Sequence, residues 1–84
     1  MKKIKILVNT IAKVNSFNRD LLPFDSDIDL VQGRYTVDGK SIMGIFSLNL
    51  LEPITAIIHE ENGELDALLE KLQPYIVESE DSEA

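Results

Sequence analysis

Residues 27 to 40, "DIDLVQGRYTVDGK", constrain the fold more than any other stretch of the chain. "IDLV" and "RYTV" are two β-prone runs, and Gln32-Gly33 supplies a turn between them. A hairpin needs further strands or a covering layer to bury its apolar face, so the rest of the chain has to provide them. Asp38-Gly39 is a second turn, and it delivers the chain to Ser41. Upstream, "KIKILVN" alternates and is rich in Ile and Val, which reads as a first strand. Asn9 or Thr10 then caps a helix whose apolar face is Ile11, Val14, Phe17, Leu21 and Phe24, at spacings of three and four. Pro23 ends that helix. Downstream, "ITAIIHE" is a fourth strand and "ENGE" a turn. In "ELDALLEKLQPYI" the residues Leu65, Leu68, Leu69 and Leu72 share a helical face, and Ile76 extends it past Pro74.

The order strand-helix-strand-strand-helix-strand-helix predicts an α+β open-faced sandwich, with the helices on one face of a four-stranded antiparallel sheet. At 84 residues the chain has room for one domain, and 44% hydrophobic residues make it globular. We expect one domain over residues 1–77. Residues 78–84, which hold Glu78, Glu80, Asp81 and Glu83, read as an acidic, disordered, solvated tail.

The formal net charge of −7 argues against nucleic acid and anionic membrane as partners. The chain has no cysteine, which removes disulfides and thiolate metal sites. The start "MKKIKILVNT" carries basic residues like a signal peptide, but Lys5 interrupts its apolar part and no small-residue cleavage site follows. The expectation is a cytoplasmic protein. His59 is the sole histidine; with Glu60 and Glu61 beside it, it makes a weak metal signal, and a strand-end histidine without a catalytic task is the better reading. No serine–histidine arrangement, ligand cluster or phosphate-cradling glycine loop is evident. No enzyme activity, cofactor or metal is therefore expected.

The segment "GKSIMGIFSLN" (Gly39 to Asn49) reads as a short helix with Ser41 as its N-cap. At about 100° per residue, Ile45 and Leu48 point nearly the same way. Met43 and Phe46 point roughly opposite, and Ile42 lies on the flank nearer to them. A surface helix buries one stripe, not two opposed ones. If Ile45 and Leu48 face the core, then Ile42, Met43 and Phe46 form a patch that is either a protein contact or covered by another part of the chain. Ser41 is a cap, and it also suits phosphorylation, since a phosphate there would lie against free backbone N–H groups beside Lys40.

Residues Ser26 to Leu48, "SDIDLVQGRYTVDGKSIMGIFSL", resemble the second half of HPr, the histidine-containing phosphocarrier of the bacterial sugar phosphotransferase system. "KSIMGIFSL" is similar to that family's regulatory serine and the helix after it. The resemblance implies a four-stranded antiparallel sheet carrying three helices on one face. It implies phosphorylation at Ser41 by HPr kinase, and docking of partner proteins of the catabolite-control system, a transcriptional regulator among them, on Ile42, Met43 and Phe46. Lys40 would flank that surface. The chain departs from the family where the phosphocarrier motif Gly-(Leu/Ile)-His-Ala-Arg-Pro-Ala should stand. It reads "VNTIAKVNS" there, with Thr10 at the histidine position, Ala12 at the arginine and Lys13 at the proline. A threonine hydroxyl is a poor nucleophile without a neighbouring base. The resemblance therefore implies a monomeric regulatory or adaptor protein. The alternatives are a divergent phosphocarrier and an unrelated α+β binding module of ferredoxin-like or ACT-like topology.

Overall fold

The computed structural model describes residues 1–79. Its elements are β1 (Lys2–Ile6), α1 (Ile11–Leu21), β2 (Asp27–Gln32), β3 (Tyr35–Asp38), α2 (Ile42–Phe46), β4 (Ile54–His59), α3 (Leu65–Leu72) and β5 (Ile76–Ser79). The strands form one antiparallel sheet in the order β3-β2-β4-β1-β5. The fold is thus α+β, but its sheet has five strands where the sequence predicts four. Pro74 stops the helix, Tyr75 N bonds back to Leu72 O at 2.8 Å, and the chain turns to place Ile76 opposite Ile6 and Glu78 opposite Lys5. In a run of only four residues, Ile76 could pass for the next turn of an amphipathic helix. The cue that it is a strand is the unpaired edge of β1, which exists only once the sheet is assembled. Glu78 and Ser79, expected in the acidic tail, belong to β5, while residues 80–84 lie outside the described residues.

Strand alternation sets the core. Ile4, Ile6, Ile28, Leu30, Ile54, Ala56 and Ile58 point to one face and are buried, with Ile4 and Leu30 both in register with Ala56. Val14, Phe17 and Leu21 from α1, Ile45 from α2, and Leu68 and Leu72 from α3 join the same cluster, so the three helices cover that face. Burying each large side chain of this kind is worth about 1.5–3 kcal/mol. Phe17 also meets Tyr75 edge-on at 5.4 Å, and the Tyr75 hydroxyl donates to Asp20 at 3.2 Å. Partial burial, then the Asp20 charge, hold that phenol above its ordinary value.

Three local expectations need correction. Ile11 is 67% exposed, because a residue in the first turn of α1 lies beyond the sheet's reach. Phe24 follows the helix and packs only partly against the core. The β2–β3 turn is Gly33-Arg34, one residue later than expected, because Gln32 still pairs with Tyr35 and Gly33 supplies the positive φ of 59°.

The start of α3 is tied to the start of β2 by one carboxylate. Glu64 accepts from the Asp25 and Ser26 amides, each at 3.0 Å, and from the Ser26 hydroxyl at 2.8 Å. Ser26, fully buried, also accepts from the Glu61 amide at 2.8 Å. Partial desolvation pushes the Glu64 carboxyl up, but the Ser26 hydroxyl, the two amides and the Lys40 charge outweigh it and hold it below the ordinary 4.5.

Candidate functional site

The segment from Gly39 to Asn49 is built from both ends inward. At its entry the Gly39 amide donates to Ile28 O at 2.7 Å, and a Cβ on Gly39 would meet that same oxygen at 3.0 Å. Glycine is what allows the turn to close against β2. The Lys40 amide donates to Asp38 Oδ1 at 2.8 Å, and Asn18 Nδ2 on α1 donates to Lys40 O, also at 2.8 Å. At the exit, Asn49 N donates to Gln32 Oε1 at 2.7 Å and Gln32 Nε2 returns a bond to Asn49 O at 2.8 Å. A helix of five residues is far too short to persist alone, so these clamps and the buried Ile45 hold it.

Ser41 is the N-cap of α2, as predicted. Its backbone is extended (φ −99°, ψ 104°) and its Oγ accepts from Gly44 N at 3.2 Å. Gly44 is fitted to this place: a Cβ there would meet Val37 Cβ of β3 at 3.1 Å and Ser41 Oγ at 3.3 Å. The glycine in mid-helix thus lets α2 approach β3 while the serine keeps its cap. Ser41 itself is exposed.

The two faces of α2 separate. Ile45 is fully buried and Leu48 nearly so, whereas Met43 is 77% exposed and Phe46 39%. Ile42 is half-buried and packs on the core, so the apolar surface is narrower than the sequence predicts: Met43 and Phe46 carry it, and Ile42 forms its floor. The Lys40 ammonium donates to the Phe24 carbonyl after α1, so it braces the entry of α2 against that loop. No acidic residue stands in the first turn of α2 and no basic residue in its last, which leaves the helix itself without charge at either end.

Thr10 begins α1. Its Oγ1 accepts from Lys13 N at 3.1 Å and its carbonyl from Val14 N at 3.0 Å, so the residue works as a helix cap. His59 ends β4, half-exposed, with Nε2 3.0 Å from Asp29 Oδ2 on β2. A side-chain contact this open to water contributes little to stability. Among the described residues, no group of three or more His, Cys, Asp or Glu is placed to hold a metal ion, and no helix is long and apolar enough to cross a membrane.

Other large apolar side chains are exposed too, among them Leu22, Tyr35, Leu51 and Val77. Leu51, 79% exposed, sits in the loop after α2, and Ile11 stands at the start of α1. Leu50, the neighbour of Leu51, is packed on the core.

No family model matches the chain, and no curated protein matches it by sequence. Among solved structures it is similar to that of HPr-C-His from Thermoanaerobacter tengcongensis, with a TM-score of 0.69 over 87% of this chain and 92% of that one. The fold is HPr-like. Sequence identity to that structure is 23%, so the likeness is one of fold. Within the HPr-like fold, this chain brings a capped α2 with an exposed Met43–Phe46 surface, and a capped α1 that begins at Thr10.

Proposed function

We propose that this protein is an HPr-like regulatory or adaptor protein, which docks other proteins through Met43 and Phe46 with Ile42 beneath them, and which is switched by phosphorylation of Ser41. The observation that carries this reading is the two-sided α2, with Ile45 in the core and Met43 and Phe46 in solvent. An exposed methionine and an aromatic side by side suit a protein contact, since both types are enriched where partners meet. Phosphorylation would replace a neutral hydroxyl cap by about −1.5 to −2 charges at the edge of that surface, enough to change which partner it accepts.

The same reading makes the chain incompetent as a histidine phosphocarrier. Thr10 would stand at the carrier position, and its oxygen is engaged with Lys13 N; among the described residues no histidine or carboxylate is bonded to it to draw off a proton. Lys40, which precedes Ser41 and is bonded to the Phe24 carbonyl, flanks that surface. The partners implied are proteins of a sugar-phosphotransferase or catabolite-control system, such as HPr kinase or a transcriptional regulator.

Incubation with an HPr kinase and ATP, followed by peptide mass spectrometry, tests the switch. Phosphate on the peptide carrying Ser41, absent from Ser41→Ala, is the expected result. A Ser41→Ala chain that gains phosphate equally would overturn the assignment. Incubation with phosphoenolpyruvate and the general phosphotransferase enzyme should leave no phosphohistidine; transfer to His59 would restore the phosphocarrier reading.

A further inference from the structure

The turn before α3 holds a chemically reactive pair. Glu64 N bonds to Glu61 O at 3.1 Å, and the two residues between them, Asn62 and Gly63, both have positive φ, 57° and 68°. Both are exposed, and a Cβ on Gly63 would find nothing within 4 Å. The Asn62 side-chain amide donates to Asp25 Oδ2 at 2.8 Å, next to the Asp25 and Ser26 amides that Glu64 holds.

We propose that Asn62 is a site of spontaneous deamidation, and that its acidic product loosens the latch between α3 and β2. In the first step the Gly63 nitrogen forms a bond to Asn62 Cγ, the Cγ–Nδ2 bond breaks, and Nδ2 leaves as ammonia with the proton that Gly63 gives up. The product is a five-membered succinimide. Water then adds to one of its two carbonyls and opens the ring, to aspartate or to isoaspartate, with no oxidation or reduction. The other asparagines, Asn9, Asn15, Asn18 and Asn49, are followed by Thr10, Ser16, Arg19 and Leu50, whose side chains crowd the attacking nitrogen. Asn15 and Asn18 are further restrained within α1. Only Asn62 precedes a glycine, and that glycine is open to water.

Asp25 has two parts in this chemistry. Its carboxylate holds the Asn62 amide in place and so slows the attack. After the reaction, the same carboxylate faces a new negative charge where it had a donor, and Glu61 and Glu64 lie in the same turn. Isoaspartate would also add an atom to the backbone of a turn whose closure positions Glu64.

The test uses the full chain, aged in mildly alkaline buffer and mapped by peptide mass spectrometry. The expected result is the mass gain of an NH2-to-OH exchange confined to the peptide with Asn62, several-fold faster in Asp25→Ala and absent in Asn62→Gln. No gain at Asn62, or an equal gain at the other asparagines, would overturn the site. Asn62→Asp then tests the consequence by amide hydrogen exchange. Faster exchange at Asp25 and Ser26, with the amides of α2 unchanged, supports the loosened latch, and unchanged protection at Asp25 and Ser26 refutes it.

Discussion

The helices α2 and α3 both start just after a turn that contains a glycine, yet they solve the start in opposite ways. At α2 the hydroxyl of Ser41 serves its own helix, bonding Gly44 N, and the apolar side chains are divided between core and solvent. At α3 the residue in the cap position, Glu64, makes no side-chain cap bond and gives its carboxylate to another element, the 25–26 backbone before β2. One joint leaves apolar groups outside, and the other brings polar groups inside. Buried polar groups must be bonded, which makes the α3 joint structural. Exposed apolar groups serve no fold, which makes the α2 surface a place to look for function.

Substitutions can break or sharpen that contrast. The largest effect is expected at Ile45, where the inner face of α2 meets the core. Ile45→Ala should cost about 2–5 kcal/mol in denaturant unfolding, and a loss as small as that of a surface change would mean α2 is not anchored as described. Next is the α3 joint. Ser26→Ala removes a buried hydroxyl that the Glu61 amide and the Glu64 carboxylate both use, and should cost about 1–3 kcal/mol.

The same joint gives a pH dependence. Glu64 titrates below its ordinary value in the folded chain, so its contribution is complete above 4.5 and is lost as the pH falls through the depressed folded value. Acid unfolding followed by circular dichroism should therefore show a limb in that range. The limb should be shallower in Glu64→Gln, which is also less stable than the parent at neutral pH. An unaltered limb would place the acid sensitivity elsewhere.

Smaller effects belong to the cap and the solvent side of α2. Ser41→Ala should lower stability by about 1 kcal/mol through loss of the cap alone. Smallest of all is Met43→Ser, expected within about 0.5 kcal/mol of the parent in thermal unfolding, because the side chain is mostly in water. A Met43→Ser change that unfolds the protein would make the patch structural and remove its claim to be a docking surface.

Much of this contrast was legible in the residues. Ser41 three positions before Gly44, and the opposed pairs Ile45–Leu48 and Met43–Phe46, follow from helical geometry over a few residues. The strand runs, the end of α1 near Pro23, and the turn at Asn62-Gly63 are equally local. The candidate surface was legible in outline, but the degree to which each member is exposed was not. Ile42 and Phe46 lie on the same side of the helical wheel, and only the packing of Ile42 against the core cluster buries it more than Phe46.

What the sequence determined by itself was the period of every element but β5, the cap of α2, and the presence of more apolar side chains in α2 than one buried stripe can use. These depend on neighbours within a turn or two of the chain, where backbone geometry dictates the outcome. Only the tertiary structure made Ile76–Ser79 a strand, turned Lys40 toward Phe24, paired His59 with Asp29 and put Glu64 on the amides of Asp25 and Ser26. Each of these needs a partner at least 16 residues away along the chain, except Ile76–Ser79, whose partner is the still more distant edge of β1. Which distant groups meet is set by how the sheet closes and which edge it leaves open, and no local pattern of residues carries that information.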